Sequence, residues 1–364
     1  MLNTYRKGAT FFGEIHAQPQ GWKRVLDTMT ERKESIIGWL KAQNIGQVLY
    51  VSSGELLGVA ESAARVTRLV SVCNSLAVPA SELMFGRRVP YDARIKTLVV
   101  VLSRSNVAEE IGWGIEKLRS IDPRVAVMAL EVGEGKMGAL ADLSVSFEIA
   151  EETKTAIGSV TGLLLASFVL VSWLSGKEKL YSELVRLPDI LSTRLKEWQA
   201  KAQRVVQTKP TQILFLGSGP FYGVARASSL AVSRTAGLPS NADFYAECIH
   251  GGYAGLNNLM TVVGFVSNSF LAMEEKALGD LAVMRCNRIA IAEQDNPELS
   301  KRTDEVFELK SEVSEIARVL LVLPVAQLLA FYAAMSRGVN PDNPKHLDHP
   351  ALSLKERPGT KAGA

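Results

Sequence analysis

Three shortages bound what this 364-residue chain can be. Its three cysteines, Cys73, Cys248 and Cys286, are odd in number, widely spaced and without a CxxC. That pattern excludes a disulfide framework or cysteine zinc site and fits reduced, buried thiols in a cytoplasmic protein. Net charge is nearly absent: 41 Lys and Arg face 38 Asp and Glu, leaving +3. With no Lys/Arg run and no basic–aromatic alternation, nucleic acid is not an expected partner. Histidine numbers only four, and no HxH, HExxH or clustered Asp/Glu/His set occurs, so no metal is expected. Gly54 and Gly58 do not form a G-x-G-x-x-G with an acidic partner, so a nucleotide site has little support and no cofactor is expected.

Long apolar runs with membrane-type flanks are lacking too. Residues 157–174 and 316–335 are apolar, but the first carries several Gly, Ser and Thr, and the second holds Arg318, Pro324 and Gln327. Each is barely long enough to span hydrocarbon, without an aromatic or basic flank, as a helix buried between a sheet and a partner subunit would be. No membrane partner is expected. No apolar stretch follows Lys7, so no signal peptide is expected either.

What the chain does have is an internal echo. Val48-Leu49-Tyr50-Val51-Ser52-Ser53-Gly54 with Gly58-Val59-Ala60 returns as Ile213-Leu214-Phe215-Leu216-Gly217-Ser218-Gly219 with Gly223-Val224-Ala225. Both glycine pairs are separated by 165 residues (219−54 and 223−58). Ser103-Arg104-Ser105 after one valine-rich run returns as Ser267-Asn268-Ser269 after another, and 124–129 returns as 288–292. Three strand-like runs at one shift predict two copies of one α/β domain.

Strand and helix alternate with short connections, the mark of a parallel sheet with helices on both faces. Strands are expected at 48–51, 70–73, 98–102, 125–130 and 143–147, and helices from about Trp22, over 57–70 and over 154–174. The organisation predicted is an N-terminal arm (1–30), a first domain (31–180), a helical connector (181–210) with Pro188 near a helix start, a second domain (211–338) and a tail (339–364).

Ligands of open parallel sheets bind outside the carboxyl ends of the strands. Ser103-Arg104-Ser105-Asn106 lies at such an end, before a helix expected near Ala108. Two hydroxyls and backbone N–H groups at a helix N-terminus suit a phosphate. Ser53 and Gly54, in the turn after the first strand, are further candidates to touch substrate.

The chain resembles the double sugar-isomerase (SIS) domain family. Members include the isomerase half of glucosamine-6-phosphate synthase, tagatose-6-phosphate-type ketose/aldose isomerases and fructosamine-phosphate deglycases. Glu14-Ile15-His16-Ala17-Gln18-Pro19 resembles the family's "EI-x-x-QP" arm, Ala80-Ser81-Glu82 its "ASE", and Ser103-Arg104-Ser105 its "SxS". Thr153-Lys154 resembles its "TK", Glu247-Cys248-Ile249-His250-Gly251 its "E-x-x-HG", and 324–344 its C-terminal signature. In this order the motifs cover nearly the whole chain. The resemblance implies two flavodoxin-like domains, a phosphosugar held by Ser103 and Ser105, and Arg104 and Asn106 lining that loop. It makes His250 the ring-opening acid/base, reaching into the neighbouring subunit of a homodimer with shared active sites. An imidazole suits that chemistry near neutral pH.

Several positions depart from the family. Its catalytic glutamate falls at Arg234, whose guanidinium stays protonated and cannot act as a base. The preceding acidic and lysine positions are Ala227 and Ala231. The "G-T-S" turn becomes Gly54-Glu55-Leu56, the threonine after the phosphate loop is Ala108, and the C-terminal lysine aligns with His349. Glu55, Glu152 and Glu247 are the carboxylates that would substitute as base. The expected function is therefore a phosphosugar aldose–ketose isomerase, deaminase or deglycase. The alternative is a non-catalytic sugar-phosphate sensor.

Overall fold

The structure, a computed structural model, describes residues 7–104, 109–133, 136–345 and 347. Two five-stranded parallel sheets carry it. The first holds β1 (Gln47–Ser52), β2 (Asn74–Pro79), β3 (Thr97–Arg104), β4 (Ala126–Val132) and β5 (Leu143–Phe147), in the order β2-β1-β3-β4-β5. The second holds β6 (Gln212–Leu216), β7 (Ser240–Asp243), β8 (Met260–Phe265), β9 (Asn287–Ala292) and β10 (Glu305–Glu308). Read from its β7 edge, its order is β7-β6-β8-β9-β10. The two orders are the same, so the echo in the sequence is a duplication of topology.

Helices cover both faces of each sheet because neither face is polar. Val48, Tyr50, Leu98 and Val100 pack into one core, and their strand neighbours Leu49, Val51, Val99 and Val101 into another. Residues that alternate along a strand point to opposite faces, so both sides must be shielded from water.

α1 (Ala9–Glu31) and α2 (Lys33–Gln43) precede the first sheet. α3 (Glu55–Val70), α4 (Ala80–Phe85) and α5 (Glu109–Ile121) connect its strands. α6 (Gly158–Leu174) and α7 (Glu178–Val205) lead to the second half. There follow α8 (Pro220–Ala236), the single turn α9 (Tyr245–Glu247), α10 (Leu271–Asp280), α11 (Pro297–Arg302) and α12 (Glu315–Ser336). The two apolar stretches are α6 and α12. α12 is long and apolar enough to cross a membrane by composition, yet 83% of its most apolar window is buried inside the protein.

The halves meet where α3 crosses α8. At that crossing the repeated glycines Gly58 and Gly223 face each other, and a Cβ on Gly58 would lie 2.5 Å from the Gly223 carbonyl oxygen. A buried polar network ties α1 to α6 and α12. Gln18 Nε2 donates to Gln327 Oε1 (2.9 Å), Thr161 Oγ1 donates to Gln18 Oε1 (2.7 Å), and Gln327 Nε2 donates to the Ile157 carbonyl (3.0 Å). Trp22 Nε1 donates to Thr161 Oγ1 at 2.9 Å. Each donor here has an acceptor, as a buried network requires.

Four boundaries differ from expectation. α1 starts at Ala9, not near Trp22, and buries Phe11, Ile15 and Gln18 despite Gly13 and Pro19. The strand expected at 70–73 lies at Asn74–Pro79, in register with β1; Val72, read as a strand residue, stands in solvent. α6 starts at Gly158 because the Glu151 carboxylate accepts the N–H groups of Ile157 (2.5 Å) and Ser159 (3.1 Å) and sets the helix end there. Pro188 sits inside α7, not near a start. Burial of Leu184, Leu187, Leu191 and Leu195 along one face carries that helix through the missing N–H bond.

Candidate functional site

A cavity of about 420 Å³ opens at the carboxyl ends of β1 and β3. Its ionisable lining is Glu55, Glu110, Arg104, Lys154 and Arg234, joined by Ser52, Ser53, Gly54 and Leu347. Three cations against two carboxylates favour an anionic ligand. The turn that enters it is fixed by Gly54, with φ 60° and ψ −133°, a backbone open only to glycine. The repeat obeys the same rule: Gly219 has φ 53° and ψ −130°. Directly after Gly54, Glu55 becomes the first residue of α3 and is buried at the cavity wall.

Arg234, in the last turn of α8, meets Glu55 from the other half of the chain. Its Nη1 donates to Glu55 Oε1 at 3.2 Å, and its Nη2 donates to the Lys154 carbonyl at 3.2 Å. Its Nε is buried and lacks a hydrogen-bond partner among the described residues. Burial pushes the Glu55 carboxyl up to about 7, with Arg234 and Arg104 pulling it down and Glu151 adding to the rise. Desolvation wins because the carboxylate is out of water while its cationic partner stays partly solvated.

The floor of the site is the loop at 151–155, latched from two sides. The Glu14 carboxylate on α1 accepts the backbone N–H of Glu152 (2.6 Å) and of Thr153 (2.8 Å) and also the Thr153 hydroxyl. Arg104 donates to the carbonyls of Thr153 (3.0 Å) and Lys154 (3.3 Å) and pairs with Glu151 at 3.3 Å. Arg104 thus lines the cavity, and its guanidinium is committed to the loop. In the sequence Glu14 stands out only as part of the N-terminal arm motif, and nothing there signals its latch role.

The other expected residues are placed as follows. Ser53 and Gly54 line the cavity. Ser103 is buried near the end of β3 and is not part of the cavity wall. Ser105, Asn106, Ala108 and His349 lie outside the described residues. The Glu152 side chain is exposed and does not line the cavity, because its backbone is the part of it that Glu14 holds. Glu247 and His250, on α9 and the turn after it, are exposed and do not line this cavity within the chain.

The second copy of the 103–105 stretch, Ser267-Asn268-Ser269 after β8, is closed from within. The Glu315 carboxylate at the start of α12 accepts the N–H groups of Asn268 (2.6 Å) and Ser269 (2.9 Å). Glu274 accepts that of Ser267 at 2.6 Å, and buried Arg318 donates to Asn268 Oδ1 at 2.6 Å. Backbone donors that would suit an anion are therefore already bound to carboxylates.

No family model matches the sequence. The glutamine–fructose-6-phosphate aminotransferase [isomerizing] of Sulfurisphaera tokodaii is 24% identical over 341 residues, which are 92% of this chain and 55% of that protein. The chain thus spans about half the length of the curated relatives it matches. The tagatose-6-phosphate ketose/aldose isomerase of Escherichia coli superposes with a TM-score of 0.83 at 18% identity, covering 92% of this chain and 96% of that one. The chain has the double sugar-isomerase fold. The C-terminal domain of the Francisella tularensis glucosamine-fructose-6-phosphate aminotransferase shares it, with a TM-score of 0.79, 16% identity and coverage of 94% and 100%. The likeness of this chain to the aminotransferases thus covers about half their length, and in structure it is to their C-terminal domain.

Proposed function

We propose that the protein binds an open-chain sugar phosphate in the cavity at β1 and β3 and isomerises it, with Glu55 as the proton-transferring base. The observation that carries this reading is the Glu55 carboxyl: buried in the cavity wall, raised to about 7 and facing Arg234 at 3.2 Å. A base poised near neutrality matches an aldose–ketose shift. Glu55 takes the proton from the carbon beside the carbonyl, and the hydroxyl proton on that carbon's oxygen passes to the former carbonyl oxygen. Glu55 then returns its proton to the former carbonyl carbon, leaving the new carbonyl where the hydroxyl was. The Arg234 guanidinium, always charged, steadies the enediolate oxygen formed between those steps. The phosphate takes the end of β3, in the stretch 103–106. Glu247 and His250 lie off this cavity, so a role for them in ring opening requires a neighbouring subunit, and we infer a homodimer.

The same ion pair supports a second reading. A carboxylate held by arginine is a weaker base, and a sugar-phosphate sensor needs no base at all. Incubation with tagatose 6-phosphate, fructose 6-phosphate and glucosamine 6-phosphate in D2O, followed by NMR, separates the two. Deuterium entering at C1 or C2 supports the isomerase. Saturable binding without exchange leaves the sensor.

A further inference from the structure

Beside the candidate site lies a larger cavity of about 770 Å³, and Arg234 and Leu347 line both. The ionisable residues lining the larger one are Lys7, Arg234, Arg337 and Lys345; no carboxylate lines it among the described residues. These four cations come from four pieces of chain: the segment before α1, the last turn of α8, the residue after α12, and the tail.

Basic residues commonly gather at helix C-termini to complement the dipole. That accounts for Arg234 and Arg337, but not for Lys7 and Lys345, which belong to no helix. Nor do the helix ends lack donors. The Gly237 N–H serves the Ser233 carbonyl, and the N–H groups of Arg337 and Gly338 serve those of Ala334 and Met335. Among the described residues, Lys7, Arg337 and Lys345 form no ion pair with a carboxylate. Asn340 adds a donor, since its Oδ1 is already bound by the N–H groups of Gly8 (3.0 Å) and Asp342 (3.3 Å). The partnerless Arg234 Nε belongs to the side chain shared by the two cavities.

We propose that this cavity binds a small polyanion of the diphosphate class, distinct from the sugar phosphate next door, and that Arg234 couples the two. Converging like charges raise the local potential, and two linked phosphates answer four cations better than one does. An anion that draws on Arg234 loosens its hold on Glu55, so each ligand alters the other's affinity by the same factor. The coupling rests on the reading of Glu55 above; the binding does not.

The test titrates pyrophosphate, without magnesium and at low salt, into the full chain by calorimetry. An Arg337→Gln/Lys345→Gln double variant, altered at two exposed residues outside the candidate site, should bind it at least about tenfold more weakly. Its affinity for a sugar phosphate should stay within about twofold. A charge-keeping Arg337→Lys/Lys345→Arg pair should lie within about threefold of the native protein. No pyrophosphate binding by the native chain, equal affinity in native and Gln variants, or equal weakness in both double variants would each overturn the proposal. So would inorganic phosphate binding as tightly as pyrophosphate. A protein that takes pyrophosphate but no sugar phosphate would remove the functional reading and leave this one standing; the reverse would remove this one alone.

Discussion

Glu55 and Arg234 lie 179 residues apart in the chain and 3.2 Å apart in the fold. One opens α3 in the first half; the other closes α8 in the second. In the register of the family resemblance, position 234 is where the catalytic glutamate falls. By that register a cation stands at the glutamate's position, and a carboxylate stands where the family's turn carries a hydroxyl; the two meet as an ion pair.

Glu55→Gln should reduce proton exchange at C2 of the accepted sugar phosphate by at least about 100-fold, the usual share of a general base. Binding should change little, because the amide keeps the shape and a hydrogen bond to Arg234. Exchange measured by NMR in D2O checks it, and a variant that exchanges at the native rate removes Glu55 from the chemistry.

Arg234→Met should move the Glu55 carboxyl further above 7, because the guanidinium is the strongest influence holding it down. A base works deprotonated, so the rising limb of kcat/KM against pH shifts to higher pH in the variant. A limb that stays in place, or shifts downward, would falsify the electrostatic account of this pair.

Stability carries the same signature. A carboxyl raised from 4.5 to about 7 binds its proton more tightly when folded than when unfolded. Its contribution is complete below about pH 4.5 and gone above about pH 7, so native stability should fall across that window. Chemical denaturation of Glu55→Gln at several pH values should show a smaller fall; an unchanged slope would place the proton elsewhere.

Much of this architecture was legible in the residues. The 165-residue echo gave the duplicated sheets because valine-rich strands covered on both faces leave an uninterrupted apolar trace. Gly54 and Gly219 marked the two turns, since their backbone angles admit no side chain. Glu55 was readable as a carboxylate near the mouth of the expected pocket, and it lines the cavity. What could not be read was geometry set by tertiary contact. That Glu152 is held by its backbone and Glu55 by an arginine from the other half depends on α1 and α8 folding over the first sheet. Helix ends failed for the same reason: α1 begins among glycines and a proline because its buried face, not its propensity, decides. The carboxylate plug at Glu315 had no trace in sequence, because a helix-start glutamate ordinarily signals only a dipole partner.

The Glu14 latch should prove as important as the ion pair it supports. Glu14→Ala leaves the N–H groups of Glu152 and Thr153 without an acceptor, a loss of about 1–3 kcal/mol for buried donors. Amide hydrogen exchange should quicken at 152–155 before it does so in β1 or β3. Protection retained at Glu152 and Thr153 would mean the loop is held by Arg104 alone.

The glycine crossing sets how closely the two halves approach. A methyl group on Gly58 meets the Gly223 carbonyl oxygen at 2.5 Å and the Ala227 nitrogen at 2.7 Å, both backbone atoms that cannot swing aside. Gly58→Ala should therefore lower stability by about 1–3 kcal/mol through overpacking, with Gly223→Ala similar and the two together less than additive. Gly38, inside α2 with nothing within 4 Å of its would-be Cβ, provides the contrast: Gly38→Ala should raise stability by about 0.5–1 kcal/mol. Since α3 carries Glu55 at one end and α8 carries Arg234 at the other, separating the helices should also lengthen their ion pair. Gly58→Ala should then shift the pH limb of Glu55 in the same direction as Arg234→Met. A stability loss without that shift would show that the crossing holds the domains together but does not set the site.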